Sequence, residues 1–196
     1  VGLGTPLDDY DVAPSPRAGR GARFEESLQT LRALFEGESL VEGTRAIGPP
    51  PVRKGGPEIL LGSNGHKALR RVGPFCDGAV TWSFGADPAE ARAMFDVAED
   101  SWKESGRSGR PRLVCGCYYA AGPRAAEDLE AYFRDYYPNV LPGQVEQLIG
   151  AVRTVTPEAI RQTIESFDGI GCDEFIFVPV KPDLAHLDGL AEIVGS

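Results

Sequence analysis

The residues best suited to chemistry in this 196-residue chain are small and polar, and they sit where an apolar run passes into a helix-like one. Gly62-Ser63-Asn64-Gly65 follows the strand-like stretch Glu58 to Leu61 and precedes His66 to Arg71, which can form a short helix. Glycines let a backbone approach an anion closely, and the free N–H groups of a helix start point at it. Ser63 and Asn64 add side-chain donors, and His66 could donate to the same group. Ser and Asn are also ordinary helix caps. Residue type alone therefore leaves two readings, a phosphate cradle and a plain capping turn, and the plain turn is the commoner.

Two further places could carry chemistry. Gly2-x-Gly4 follows the apolar start of the chain, but a dinucleotide fingerprint wants a third glycine where Leu7 stands. Asp77-Gly-Ala-Val-Thr-Trp82 reads as a strand ending in an aromatic residue. At the C-terminal end of a barrel strand, Trp82 could wall a flat ring; elsewhere it would be a core tryptophan. No metalloprotease helix, nucleophile elbow or Walker loop is present, and no pair of carboxylates stands out for acid–base work.

Composition narrows the partners. The net charge is −9, against the basic face that phosphate-backbone binding needs. Nucleic acid and anionic membrane are thus not expected. No apolar run reaches the roughly 20 residues of a membrane helix, and no signal peptide is seen. Cys76, Cys115, Cys117 and Cys172 form no C-x-x-C pair and the chain has two His, so no metal site is expected. The cysteines read as buried thiols, with Cys115 and Cys117 on one side of a strand. The chain reads as cytoplasmic.

The elements that would position these groups alternate. Phe24, Leu28, Leu31 and Phe35 mark a helix closed at Gly37. Residues 38–57 are a long Gly- and Pro-rich surface excursion. Strands are expected at Val1 to Gly4, 58–61, 78–82, 112–119 and 174–178. Asp87-Pro-Ala-Glu90 is a capping box with Pro at the first helical position. Its helix carries Ala91, Phe95, Ala98 and Trp102 on one face. Ala125 to Tyr136 is the next helix, and Thr156-Pro157-Glu158 opens another. The apolar run near Ile176 predicts a parallel strand covered on both faces. Leu184, Leu187, Ala191 and Val194 predict the inner face of a last helix, with His186 on the solvated surface. Alternation of this kind means a parallel sheet with crossover helices in one domain, residues 1–196. Five strands fall short of a closed barrel of eight, and a doubly wound open sheet is the alternative.

In their order and spacing these segments resemble the luciferase-like monooxygenase family. The segments are Val1-Gly-Leu-Gly-Thr5, Arg20 ahead of Glu26, Leu31 to Gly37, Leu60-Leu-Gly-Ser-Asn-Gly65 with Ala68-Leu-Arg-Arg71, and Asp77 to Trp82. Thr156-Pro-Glu158 and Gly171 to Pro179 complete the set. The resemblance implies a (β/α)8 TIM barrel of which this chain supplies about strands four to eight, the first three βα units being absent. It implies FMN or the deazaflavin F420 as cofactor, with Gly4 and Thr5 on one side of its phosphate, Gly62, Ser63, Asn64 and Gly65 on the other, and Trp82 toward the ring. Pro6 departs from the glycine of many F420-type members, which leaves the shape of that loop open. The family's substrate-facing and protonating residues often lie on its early strands, so no catalytic residue is named.

The function implied is hydride transfer or oxygen insertion on a small organic substrate, with the cofactor supplying the chemistry. A non-catalytic flavoprotein, or an inactive piece of such an enzyme, is the alternative. An open-sheet enzyme with a nucleotide at Gly2–Gly4 is a third reading. A chain that begins in mid-motif would be an N-terminally truncated barrel. Its edge strands, at Val1 and at 174–178, would favour association with further copies or with the missing N-terminal segment.

Overall fold

The computed structural model describes residues 18–139, 141 and 143–195. Gly2, Gly4, Thr5 and the strand expected at Val1 to Gly4 lie outside the described residues. The described elements are α1 (Arg20–Phe35), β1 (Leu60–Gly62), α2 (His66–Leu69), α3 (Val72–Phe75), β2 (Gly78–Trp82), α4 (Pro88–Glu104), β3 (Arg112–Tyr119), α5 (Ala125–Tyr136), a 3-10 turn (Tyr137–Asn139), α6 (Val145–Ala151), α7 (Pro157–Asp168), β4 (Glu174–Pro179) and α8 (Leu184–Val194).

The strands form a parallel sheet in the order β1-β2-β3-β4. Strand order follows chain order, and helices fill the connections between strands, as in a stretch of (β/α) barrel. The doubly wound alternative reverses its order at a switch point, and no reversal occurs among the described strands. β3 and β4 pair with Val114 opposite Glu174 and Tyr118 opposite Val178.

The chain divides into two compact units, one of residues up to Ala79 with Val97–Arg112, the other of Val80–Asp96 with the rest from Leu113. In the first, Leu28, Ile59, Leu61, Leu69, Val72, Ala98 and Trp102 are buried. Asp77 ties its strands together. Its N–H donates to the Ile59 carbonyl, its Oδ2 accepts the Ile59 N–H at 2.8 Å and Arg32 Nη2 at 2.5 Å, and Arg107 Nη2 stands 3.5 Å from Oδ1. Burial alone would raise the Asp77 carboxyl, but the Ile59 N–H and the two guanidinium groups together hold it below its ordinary value. Arg107 lies over Trp102, 3.6 Å from the ring centroid, and also donates to the Gly73 and Cys76 carbonyls.

In the second unit the core runs from Ala120, Ala125, Leu129 and Phe133 through Tyr137 and Leu148 to Val180. A smaller cluster joins Tyr119, Ala121, Ile160 and Ile193. Two helix starts follow their residue types. Thr156 Oγ1 accepts the Ala159 N–H with Pro157 at the first position. Asp87 Oδ1 accepts the Ala89 N–H at 2.8 Å. The expected box is closed differently, because Glu90 does not reach the Asp87 N–H. Ser83 Oγ accepts that N–H and donates to Glu90 Oε2 at 2.6 Å.

Three expectations are corrected. β4 is apolar along most of its length, yet its residues alternate between exposed and half-buried and Ile176 is 39% exposed. Glu174 and Ile176, which share one face, are both exposed, so β4 is not covered on both faces among the described residues. The apolar stripe of α8 also points outward. Leu184, Leu187 and Val194 are exposed, while His186 and Ile193 are the buried residues. His186 is thus a core group and not a surface one. Its ring fills a polar niche that apolar periodicity does not register: Nδ1 accepts the Ala121 N–H at 3.1 Å and Nε2 stands 3.6 Å from Asp128 Oδ2. Lastly, residues 66–71 do not make one helix, since α2 and α3 are single turns on either side of Arg70 and Arg71.

Candidate functional site

In the first unit, β1 ends at Gly62 and α2 begins at His66, so the tetrad expected to hold an anion forms the whole connection. The capping residue of α2 is Gly65, in an extended conformation, and no side chain caps the helix. Ser63 is therefore not a helix cap. Its Oγ accepts the Gly65 N–H at 3.0 Å, which closes a local turn and leaves the hydroxyl hydrogen to donate outward. Gly62, Asn64, Gly65 and His66 are exposed and Ser63 is half-buried. A Cβ placed on Gly62 would meet nothing within 4 Å, so a ligand can come up against the backbone there. α2 has only four residues and contributes little macrodipole. What the turn offers an anion is the Ser63 hydroxyl and exposed backbone, with Asn64 exposed beside them.

In the second unit, Trp82 closes β2 and is half-buried. Its ring meets Tyr118 edge-on at 4.7 Å between centroids and Phe84 at 6.2 Å. The close approach needs Gly116: a Cβ there would stand 3.0 Å from Trp82 Cζ3 and 3.2 Å from the Ile176 carbonyl. This is why a residue without a side chain sits mid-strand in β3. Trp82 and Tyr118 stand at the C-terminal ends of β2 and β3, the ends at which parallel α/β sheets bind ligands.

Sequence reasoning missed the tyrosines around Tyr118. Tyr132 Oη and Tyr137 Oη stand within hydrogen-bond distance of Tyr118 Oη, at 3.3 and 3.1 Å. Burial pushes the Tyr118 and Tyr132 hydroxyls well above their ordinary values, so both stay protonated across the usual pH range. The signal available was Tyr118 at a strand end with Tyr132, Tyr136 and Tyr137 a helix later. Three of the four cysteines are buried and poorly suited to act as nucleophiles. Burial raises the Cys76 and Cys115 thiols to about 11 and the Cys117 thiol to about 12. Among the described residues no group of His, Cys, Asp or Glu is arranged to hold a metal ion, and no helix is long and apolar enough to cross a membrane.

Residues 1–170 match the model of a family described as luciferase-like monooxygenase. Among curated proteins, a phthiodiolone/phenolphthiodiolone dimycocerosates ketoreductase of Mycobacterium sp. (strain JLS) is 34% identical over 95 residues, which is 44% of this chain and 25% of that protein. Among solved structures, an F420-dependent secondary alcohol dehydrogenase in complex with an F420–acetone adduct superposes with a TM-score of 0.74 at 17% identity, covering 100% of this chain and 68% of the other. The monooxygenase RslO1 from Streptomyces bottropensis follows with a TM-score of 0.71 at 14% identity, covering 98% and 66%. This chain thus spans about a quarter of the curated relative and about two thirds of these solved ones.

Proposed function

This chain belongs to the luciferase-like monooxygenase family, and from that premise we propose that it takes part in F420- or FMN-dependent oxidation–reduction of a small organic molecule. The observation that carries this reading is the Gly62–Gly65 turn, with an outward-donating serine, an exposed asparagine amide and open space at Gly62. These are the donors a cofactor phosphate needs, and they fit it. Ser63 and Asn64 would hold the phosphate, with Gly62 and Gly65 admitting it to the backbone. Gly4 and Thr5 are assigned to the same phosphate on family likeness alone. When bound, F420 or FMN supplies hydride transfer or, for FMN, oxygen chemistry. Trp82 is assigned to the side of the ring on family likeness alone, as an apolar wall.

Titration of the chain with F420, FMN and riboflavin, followed by tryptophan emission, tests the reading. Saturable quenching by F420 or FMN, assigned to Trp82 by its loss in Trp82→Phe, is the expected result. Quenching that survives intact in Trp82→Phe would remove Trp82 from the site, and absence of binding by both cofactors would overturn the proposal. A second reading is cofactor binding without turnover. A turnover assay on the loaded chain separates the two.

A further inference from the structure

We propose that Trp82, Tyr118, Tyr132 and Tyr136 form a one-electron relay that carries an oxidising equivalent from the C-terminal end of the sheet to the solvent. The relay goes beyond the proposed oxidoreductase activity and rests on it in one respect, that redox chemistry is what would put a one-electron oxidant beside Trp82. Indole and phenol are the aromatic side chains most easily stripped of an electron, and an electron passes readily between rings in contact. Trp82 is half-buried and closes β2. Its ring centroid lies 4.7 Å from that of Tyr118, and Tyr118 lies 5.2 Å from Tyr132. Tyr132 and Tyr136 are one turn apart on α5 and stack at 5.6 Å with 10° between their planes. A second arm leaves Tyr118 through Tyr137, at 6.2 Å, and rejoins Tyr136 at 5.1 Å. Both arms end on Tyr136, which is 49% exposed, whereas Tyr137 is buried. Packing alone does not call for phenols here, since Phe84 and Phe133 fill the same cluster with no polar atom to bury.

A phenol that loses an electron must also shed its proton, so an interior step needs an oxygen to take it. Tyr118 Oη has Tyr132 Oη at 3.3 Å and Tyr137 Oη at 3.1 Å. A hydroxyl hydrogen turns about its C–O bond, so a proton can be shared across either contact in either sense. One electron passes from Trp82 to the oxidant, which is thereby reduced. Tyr118 then refills Trp82, Tyr132 or Tyr137 refills Tyr118, and Tyr136 refills that ring. Each interior proton returns with the electron that restores its ring. Tyr136 alone is left changed: it has given one electron inward and one proton to water. The phenoxyl radical that remains takes a hydrogen atom from a thiol or ascorbate in solution. The direction follows from burial. Burial holds the Tyr118 and Tyr132 hydroxyls above their ordinary values, so a proton leaves the exposed terminus more cheaply and the oxidising equivalent runs outward.

Pulse radiolysis of the full chain with the azide radical, which takes an electron from tryptophan in preference to tyrosine, tests the relay without any cofactor. In the wild-type chain the indolyl absorption should give way to the phenoxyl absorption at a rate independent of protein concentration. Trp82→Phe should abolish that exchange although Trp102 still reacts. Tyr118→Phe should slow it at least about tenfold, the effect of even a small rise in the barrier of one hop. Tyr132→Phe leaves the arm through Tyr137 and should slow it far less. Should Tyr118→Phe fold poorly, the surface variant Tyr136→Phe gives a second measurement: ascorbate should reduce the phenoxyl about tenfold more slowly once the exposed terminus is gone. Exchange that persists in Trp82→Phe or is unslowed in Tyr118→Phe, or an ascorbate rate unmoved in Tyr136→Phe, would overturn the proposal. Failure of F420 or FMN to bind would count against the cofactor reading alone.

Discussion

Asp77 and Ile59 clasp one another at both backbone groups: the Asp77 N–H donates to the Ile59 carbonyl, and the Ile59 N–H donates to Asp77 Oδ2, each at 2.8 Å. The clasp sits just ahead of β1 and β2 and pins their register from the N-terminal side. The same device recurs in the second unit, where Asp173 and Leu113 exchange the same two bonds at 2.8 Å. At strand N-termini such bonds serve stability.

Asp77→Asn should therefore destabilise the chain by about 1–3 kcal/mol at neutral pH, the worth of hydrogen bonds to a charged group. The carboxyl lies below its ordinary value in the folded chain. Its contribution is then fully present above the unfolded value of about 3.9 and is lost as pH falls through the lower folded one. Urea unfolding of both chains from neutral to acid pH should show the gap closing on the acid side. A gap independent of pH would mean that the charge is not what holds the clasp.

Gly116→Ala should displace the Trp82 ring. The new methyl would stand 3.0 Å from Trp82 Cζ3 and 3.2 Å from the Ile176 carbonyl, so the ring must give by a few tenths of an ångström. The cost should be about 1–3 kcal/mol, typical of overpacking. Near-ultraviolet circular dichroism should change, since Trp82 meets Tyr118 edge-on at 4.7 Å. An unaltered aromatic spectrum with unaltered stability would place the ring elsewhere.

Ser63→Ala combined with Asn64→Ala should weaken FMN by roughly 1–3 kcal/mol through lost hydrogen bonds to a charged group. Riboflavin, which lacks the phosphate, should lose almost nothing. Calorimetric titration of the pair decides it, and equal losses for both ligands would assign the damage to the fold.

Much of this architecture was legible in the residues themselves. β2, β3 and α5 begin and end where period and breakers set them, and Thr156 caps α7 as its type predicts. The clasps at Asp77 and Asp173 are not legible in the residues, because a bond between strands is a long-range fact. The tyrosine cluster at Tyr118 was hidden for the same reason, since its partners are 14 and 19 residues away. His186 escaped because a histidine in an apolar stretch carries no mark of the backbone N–H it will accept. The outer side of β4 was misread because a run of apolar residues states what a strand can bury, not what lies beside it.

The last helix puts that distinction to the test. Leu184, Leu187 and Val194 form an apolar stripe that periodicity would turn inward, yet Leu187 is 56% exposed and Ile193 is 8% exposed. α8 is held instead by its other side, where Ile193 packs with Tyr119, Ala121 and Ile160, and His186 takes the Ala121 N–H. Leu187→Glu should accordingly shift stability by no more than about 0.5 kcal/mol, as exposed substitutions do. Ile193→Glu buries an unpaired charge and should cost several times more. His186→Leu keeps most of the volume but strands the Ala121 N–H, for a loss of about 1–3 kcal/mol. Thermal unfolding of the three variants gives the ranking directly. A Leu187→Glu chain as damaged as the Ile193→Glu chain would show that α8 packs by its apolar stripe after all.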